Sequence, residues 1–189
     1  MDRFPSLTTP RLVLRVPVPA DADRVAAFHR ESRAHLARWE PRRAEAYFTT
    51  PYWREELARV EAQVLAEQLV PFILLARDSP DGPVLGNCTL SNLVRGPFQA
   101  AHLGFALAAP AVGQGFMFEA LTEVVRFAFT ELRLHRLMAN YQPENARSAD
   151  LLRRLGFTIE GLAHDYLLLD GEWRDHVLTS LVNPAWREA

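Results

Sequence analysis

The stretch GFALAAPAVGQGFMFEAL, residues 104–121, joins a predicted strand to a predicted helix through a loop with two closely spaced glycines. We predict the strand over Ala100–Leu107 and the helix over Phe116–Glu131, where apolar residues recur at helical spacing. Gly113 and Gly115 allow backbone conformations that expose amide N–H groups, and the helix dipole adds positive potential. The loop can therefore hold a diphosphate, although two glycines are equally typical of a plain tight turn. It is neither a G-x-G-x-x-G fingerprint nor a Gly-Lys-Ser/Thr phosphate loop.

A second polar element follows the next predicted strand, Arg136–Tyr141. Asn145 and Ser148 begin a short predicted helix over Ala146–Leu155, and taken alone Asn145 is typical of a simple helix cap. The order of strand, G-x-G loop, helix, strand, N-x-x-S and helix places both polar elements at the same edge of a sheet. This pairing favours a ligand site over two unrelated structural features.

The rest of the chain predicts a mixed α/β (α+β) fold, with about seven strands flanked by about four helices, in a single domain over residues 1–189. Asp170-Gly171 between two apolar runs is a strong hairpin signal. Thr50 is predicted to cap a helix with Pro51 at its first position. The remaining elements are strands at Arg11–Val18, Pro71–Arg77 and Val84–Val94, and helices at Ala20–Glu31 and from Thr50 to about Gln68, with a loop containing helical turns between these helices.

Composition excludes several functional classes. The chain has 23 acidic and 21 basic residues, so it lacks the positive balance of a dedicated nucleic-acid-binding protein. No secretory signal and no apolar run of membrane-spanning length occurs, which predicts a cytoplasmic protein without a membrane partner. The six histidines show no metal-ligand spacing, and we predict no metal site. Cys88 lies in an apolar run and is expected to be a packed thiol.

Three segments together resemble the GNAT superfamily of N-acetyltransferases. They are GFALAAPAVGQGFMFEAL, HRLMANYQPENARSADLLRRLGF and DYLLLDGEWRDHVL. Within that superfamily the chain is similar to the RimJ-type ribosomal-protein-alanine N-acetyltransferases, which TTPRLVLR at residues 8–15, WEP at 39–41 and SNLVRG at 91–96 also match. The resemblance spans nearly the whole chain and implies the GNAT acyl-CoA N-acyltransferase fold.

The resemblance implies a site for acetyl-CoA where two parallel strands separate. In that site the backbone of Leu107, Ala108 and Ala109 would face the pantetheine arm, and Asn145 would bond to it. The diphosphate would be held by Val112, Gly113, Gln114, Gly115, Phe116 and Met117. Two positions depart from the pattern. Pro110 stands where many members have Arg or Gln, and Leu152 stands where many have a catalytic tyrosine.

The chemistry implied is direct attack of an amine on the thioester, since no Cys-His or Ser-His arrangement suggests an acetyl-enzyme. Ser148 matches a serine that related ribosomal-protein enzymes are thought to use as acid. The general base stays open among His102, Asp165 and Glu40, and a water-mediated route is a further alternative. On the acceptor side, we predict that Trp39, Glu40 and Tyr166 contact the substrate.

The resemblance implies that the acceptor is the N-terminal alanine of a ribosomal protein, bound by a monomer or homodimer. Two alternatives remain open at this point. The acceptor could be a small amine, a polyamine or an antibiotic. Alternatively, because Pro110 and Leu152 depart from the pattern, the protein could be an acyl-CoA-binding assembly or regulatory factor with little turnover.

Overall fold

A mixed β-sheet forms the centre of the computed structural model, which describes residues 4–188. Its strand order is β1-β2-β3-β4-β5-β6-β8-β7, and every neighbouring pair is antiparallel except β5 and β6. The strands are β1 (Ser6–Thr8), β2 (Leu12–Arg15), β3 (Leu69–Ala76), β4 (Gly86–Val94), β5 (Ala100–Leu107), β6 (Arg136–Tyr141), β7 (Thr158–Leu169) and β8 (Glu172–Val182). The α-helices are α1 (Ala22–Leu36), α2 (Thr50–Leu65), α3 (Phe116–Thr130) and α4 (Ala146–Arg154).

The mixed sheet and the four α-helices confirm the predicted fold class, and β5 and β6 have the predicted bounds. The described residues contain one strand more than the seven expected. The additional strand is β1, whose three residues are too few to show an alternating pattern. It is held by pairing with β2, where Leu7 lies opposite Leu14 and both side chains are buried.

Two predictions about the first helices were wrong in detail. Helix α1 continues past Glu31 to Leu36, because Ser32 and Leu36 extend its buried side. Thr50 does not cap α2, since the capping position belongs to Thr49. The Thr50 hydroxyl instead donates a hydrogen bond to Asp23 Oδ1 at 2.7 Å, which ties the start of α2 to α1.

The parallel strands β5 and β6 separate along their length. They pair only where Ala100–His102 lies opposite Arg136–Met138. Beyond that point each strand stays with its other neighbour, β5 with β4 as far as Leu107 and β6 with β8 as far as Tyr141. The expected separation of the two parallel strands is therefore confirmed, and it opens a gap between their carboxyl ends.

The hydrophobic core covers both faces of the central strands, because residues 72–75 of β3 are all buried although successive side chains point to opposite faces. Phe127 of α3 meets Phe72 of β3 edge to face, with ring centroids 5.8 Å apart. Leu152 of α4 is 1% exposed and belongs to the same core, which excludes it from contact with a substrate. Cys88 is fully buried, and burial raises the pKa of its thiol, so the predicted packed thiol is confirmed.

Candidate active site

Two cavities meet at the gap between β5 and β6. One, of about 410 Å³, is bordered by Leu107, Val112, Met117 and the start of α4, and we call it the loop-side cavity. The other, of about 460 Å³, is bordered by Asn87, Thr89, Gly104, Asn140 and His176 among others, and we call it the strand-side cavity. Five residues line both, so the two cavities adjoin and we call them together the cleft: Trp39, Phe105, Ala106, Asn145 and Ser148.

The glycine loop presents a set of free backbone donors at the start of α3. Gly113 and Gly115 have φ angles of +82° and +79°, the left-handed conformation that favours glycine. Among the described residues, no hydrogen bond is made by the backbone N–H groups from Gly113 to Phe118. These donors and the positive end of the helix dipole suit an anion. Between the end of β5 and the loop, the N–H of Ala108 is already paired, because it donates to the Leu85 carbonyl at 2.9 Å.

Arg11, which sequence reasoning did not single out, braces this loop. Its Nη1 donates to the Gln114 carbonyl at 2.9 Å, and its guanidinium lies 4.6 Å from the centroid of the Phe116 ring. Its Nε also bonds Glu119 Oε2 at 2.6 Å, and Thr9 donates to the other oxygen of that carboxylate at 2.6 Å. Burial alone would raise the pKa of Glu119, but these hydrogen bonds hold it below its usual value. The loop is thereby fixed to the β1–β2 turn.

Asn145 and Ser148 occupy the boundary between the two cavities. Asn145 is the N-cap of α4, because its Oδ1 accepts a hydrogen bond from the Ser148 N–H at 3.1 Å. The capping role that is typical of this residue type is therefore confirmed. The same cap holds both residues at the junction, where each lines both cavities. The Ser148 hydroxyl makes no hydrogen bond within residues 4–188 and is free to bond a ligand.

The segment carrying Trp39 and Glu40 closes one side of the cleft. Gln142 donates to the Arg38 carbonyl at 3.0 Å, and the Asp170 N–H donates to the Glu40 carbonyl at 3.1 Å, which fixes the segment to β6 and to the β7–β8 turn. Glu40 lines the strand-side cavity. Burial raises the pKa of its carboxyl group, an effect that nearby Arg43 partly offsets.

The other predicted site residues lie around the strand-side cavity without lining it. His102 lies two residues before Gly104 on β5, its Nδ1 is buried without a hydrogen-bond partner, and burial lowers its pKa. Asp165 is exposed at a bulge in β7, where its N–H donates to Asp175 Oδ1 at 2.9 Å. Tyr166 supports a lining residue, since its hydroxyl accepts a hydrogen bond from the Asn140 amide at 3.2 Å. A proton-accepting role for His102 or Asp165 stays a prediction.

Residues 4–188 contain neither a cluster of metal-ligand side chains nor a membrane-spanning helix. No group of three or more His, Cys, Asp or Glu side chains is arranged to hold a metal ion. No helix in that range combines the length and hydrophobicity that crossing a membrane requires.

Comparison with known proteins identifies relatives of this chain. Residues 11–158 match the acetyltransferase (GNAT) domain family. The chain is 44% identical to the [ribosomal protein uS5]-alanine N-acetyltransferase of Escherichia coli K12, over 95% of this chain and 92% of that protein. Among solved structures, the ribosomal-protein-S5-alanine acetyltransferase of Vibrio fischeri matches with a TM-score of 0.92 and 34% identity, over 97% of this chain and 100% of that one.

A further solved structure is that of a relative in complex with a CoA derivative. Mycobacterium smegmatis RimJ in complex with CoA-disulfide matches with a TM-score of 0.86 and 28% identity, over 98% of this chain and 90% of that one. The family match covers most of the chain, and the identity to the E. coli enzyme extends over nearly all of it. The chain therefore belongs to the GNAT acetyltransferase family.

Proposed function

We propose that this protein transfers the acetyl group of acetyl-CoA to the N-terminal alanine of a ribosomal protein, with residues 1–189 acting as one domain. The observation that carries the proposal is the 44% identity to an enzyme of that name, over 95% of the chain. The two adjoining cavities support it, because a two-substrate transfer needs two ligands to meet at one point. An acceptor of this kind implies a cytoplasmic location.

The loop-side cavity suits the coenzyme. The free N–H groups from Gly113 to Phe118 would hold the diphosphate, as expected for an anion at a helix N-terminus. Leu107, Val112 and Met117 supply apolar walls for the pantetheine arm, and Asn145 lines the cavity where it adjoins the strand-side cavity. Bound there, acetyl-CoA supplies an activated acyl group at the boundary with the strand-side cavity.

Replacing Gly113 with alanine is expected to weaken CoA binding about tenfold. A left-handed conformation costs a non-glycine residue about 1–3 kcal/mol, so alanine favours a loop conformation in which the N–H groups turn away from the diphosphate. Calorimetric titration with CoA measures the change. Gly96→Ala is the matched control, because Gly96 also has a positive φ and an open surrounding but lies in the β4–β5 turn. Equal CoA affinity in both variants would contradict a diphosphate role for the loop.

The strand-side cavity suits an N-terminal amine better than a lysine side chain. An α-amino group with a pKa near 7.7–8.0 is about a tenth neutral at pH 7, whereas a lysine amine near 10.4 is almost wholly protonated. Only a neutral amine can attack the thioester carbonyl carbon. Glu40, at the cavity wall, can bind the amine while it is still charged.

Replacing Glu40 with glutamine is expected to raise KM for the acceptor peptide about tenfold and to leave CoA affinity unchanged. A hydrogen bond to a charged group contributes about 1.5–3 kcal/mol, and glutamine keeps the shape while removing the charge. Steady-state kinetics at saturating acetyl-CoA provide the measurement. Glu31→Gln, an exposed change on α1, is the control. An unchanged KM would remove Glu40 from acceptor binding.

The proposed function is tested with purified protein, acetyl-CoA and a panel of N-terminal peptides and small amines. Thiol release and acetylated product are measured together. We expect preference for peptides that begin with alanine. Preference for a small amine would replace the acceptor in the proposal, and tight CoA binding without any product would exclude an acetyltransferase.

A further inference from the structure

His176 lies in the wall of the strand-side cavity and was not among the candidates for general base. It is on β8 and is 3% exposed. Leu178, two residues further along β8, pairs with Asn140 on β6, so His176, Leu178 and Asn140 point to the same face of the sheet. The imidazole therefore faces the side of the sheet from which the acceptor would approach.

The hydrogen bonding of His176 fixes which ring nitrogen is available. Its Nδ1 lies 3.0 Å from the Arg174 carbonyl oxygen, and a carbonyl can only accept, so Nδ1 carries the hydrogen. The lone pair of the neutral ring is then on Nε2. Within residues 4–188, Nε2 has no hydrogen-bond partner, and it is not among the buried polar atoms sealed from solvent. A free lone pair in a cavity wall is what a proton acceptor requires.

The surroundings of His176 hold the ring in this orientation. The Tyr166 ring packs against it at a tilted angle, with centroids 5.5 Å apart, and the Tyr166 hydroxyl is itself fixed by Asn140. The adjacent carboxylate of Asp175 is engaged elsewhere, because it accepts from His164 at 2.8 Å and from the Asp165 backbone. Asp165 is thus held on an exposed bulge, whereas His176 is held in the cavity.

We propose that His176 is the general base that takes the proton from the acceptor amine. The inference rests on the proposed function and adds a residue to it. The Nε2 lone pair removes one proton from the ammonium group, and the imidazolium returns that proton to solvent. The neutral nitrogen forms a bond to the thioester carbonyl carbon, and the carbon–sulfur bond breaks. The thiolate of CoA takes a proton from the Ser148 hydroxyl or from water, and the second proton that leaves the nitrogen, as the amide forms, restores that donor.

The test variant is His176→Asn, because the asparagine amide can keep the hydrogen bond to the Arg174 carbonyl while removing Nε2. We expect kcat to fall about 100-fold, the usual scale of general-base assistance, with CoA affinity within twofold of wild type. His164→Asn is the matched control. Its ring is exposed and paired with Asp175, and its turnover should be unchanged. If His176→Asn fails to bind CoA through misfolding, His176→Gln is measured in its place.

A second acceptor separates base catalysis from a structural role. An otherwise identical peptide with an aminooxy group in place of its terminal amine is already uncharged at neutral pH, so it does not need the deprotonation before attack that is assigned to His176. The 100-fold loss should shrink to less than tenfold on that peptide. A loss of equal size on both acceptors, or turnover of His176→Asn within threefold of wild type, would overturn the inference.

The same design keeps the two proposals distinguishable. The assays use whichever amine of the panel the wild-type protein acetylates, so preference for another acceptor would replace the proposed substrate and leave His176 to be tested. Wild-type turnover of an alanine peptide that persists in His176→Asn would overturn His176 alone. If the wild-type protein acetylates none of the amines, both the proposed function and the role of His176 are contradicted.

Discussion

Replacing Ser148 with alanine is expected to lower kcat about 100-fold while CoA affinity changes less than twofold. Ser148 lies where the two cavities meet, and its hydroxyl has no partner among the described residues, so it can donate to the leaving thiolate. Losing one donor to a developing negative charge costs about 10²–10³ in kcat. The backbone hydrogen bond to Asn145 survives the change, since it uses the Ser148 N–H. Thiol release gives kcat, and calorimetry gives the CoA dissociation constant.

Two further variants interpret that result. Ser79→Ala, in an exposed turn after β3, should leave kcat unchanged and controls for the loss of a hydroxyl elsewhere. Asn145→Ala removes the cap and the amide together, so it should lower both CoA affinity and kcat. If Ser148→Ala turns over as fast as wild type, Ser148 is not the acid. If it loses CoA affinity as strongly as Asn145→Ala, its role is binding.

The segment from β5 to α4 was predictable because its signals are local. Ala100–Leu107 and Arg136–Tyr141 are mainly apolar stretches of strand length with the predicted bounds, and α3 has an extended buried apolar face. The G-x-G and N-x-x-S elements then follow their strands directly, so chain order alone places them at one edge of the sheet. The structure brings Val112 and Ser148 to a single cavity in that way.

The brace on the glycine loop was not predictable, because its partners are far apart in sequence. Arg11 and Glu119 are separated by 108 residues, and no sequence pattern indicates that the two are partners. Only the β1–β2 turn brings Arg11 to α3, and β1 itself is too short to leave a clear signal. Long-range polar pairs of this kind depend on the finished topology.

His102 and His176 show a similar limit. Alternation along a strand tells which face a side chain occupies, but not how far along the strand the cavity extends. His102 lies on β5 where β5 still pairs with β6, so the gap has not yet opened at its position. His176 lies on β8 opposite Ala163 of β7, one residue before Val177, where the pairing of β8 with β6 begins, and it reaches the cavity. Metal-ligand spacing in the sequence does not distinguish the two histidines, whereas the register of strand pairing does.

The second large effect, a loss of folding stability, is expected on replacing Asp21, a buried carboxylate that joins β2 to α1. Its oxygens accept from Arg15 Nη1 and Nη2, both at 2.7 Å, from Arg24 Nε at 2.7 Å and from the Val18 N–H at 2.8 Å. Asp21 is 2% exposed. In Asp21→Asn, an amide NH2 group faces the N–H donors of the two arginines. The substitution also removes the negative charge that pairs with both arginines. Breaking a buried ion pair costs about 3–5 kcal/mol, and the partial exposure of the arginines favours the lower end.

The pH dependence of this loss distinguishes a lost charge from a lost shape. Burial would raise the pKa of Asp21, but hydrogen bonds from Arg15, Val18 and Arg24 hold it below its usual value. A lowered folded-state pKa contributes stability above the unfolded carboxyl pKa of about 3.9, and that stability is lost as pH falls through the folded-state value. Urea unfolding should therefore show that the free energy of unfolding of Asp21→Asn is about 3 kcal/mol below that of wild type from pH 7 to 5. This difference should narrow below about pH 4. Asp78→Asn, in an exposed turn, should show no gap, and a gap for Asp21→Asn that persists unchanged at low pH would mean that packing rather than charge holds β2 to α1.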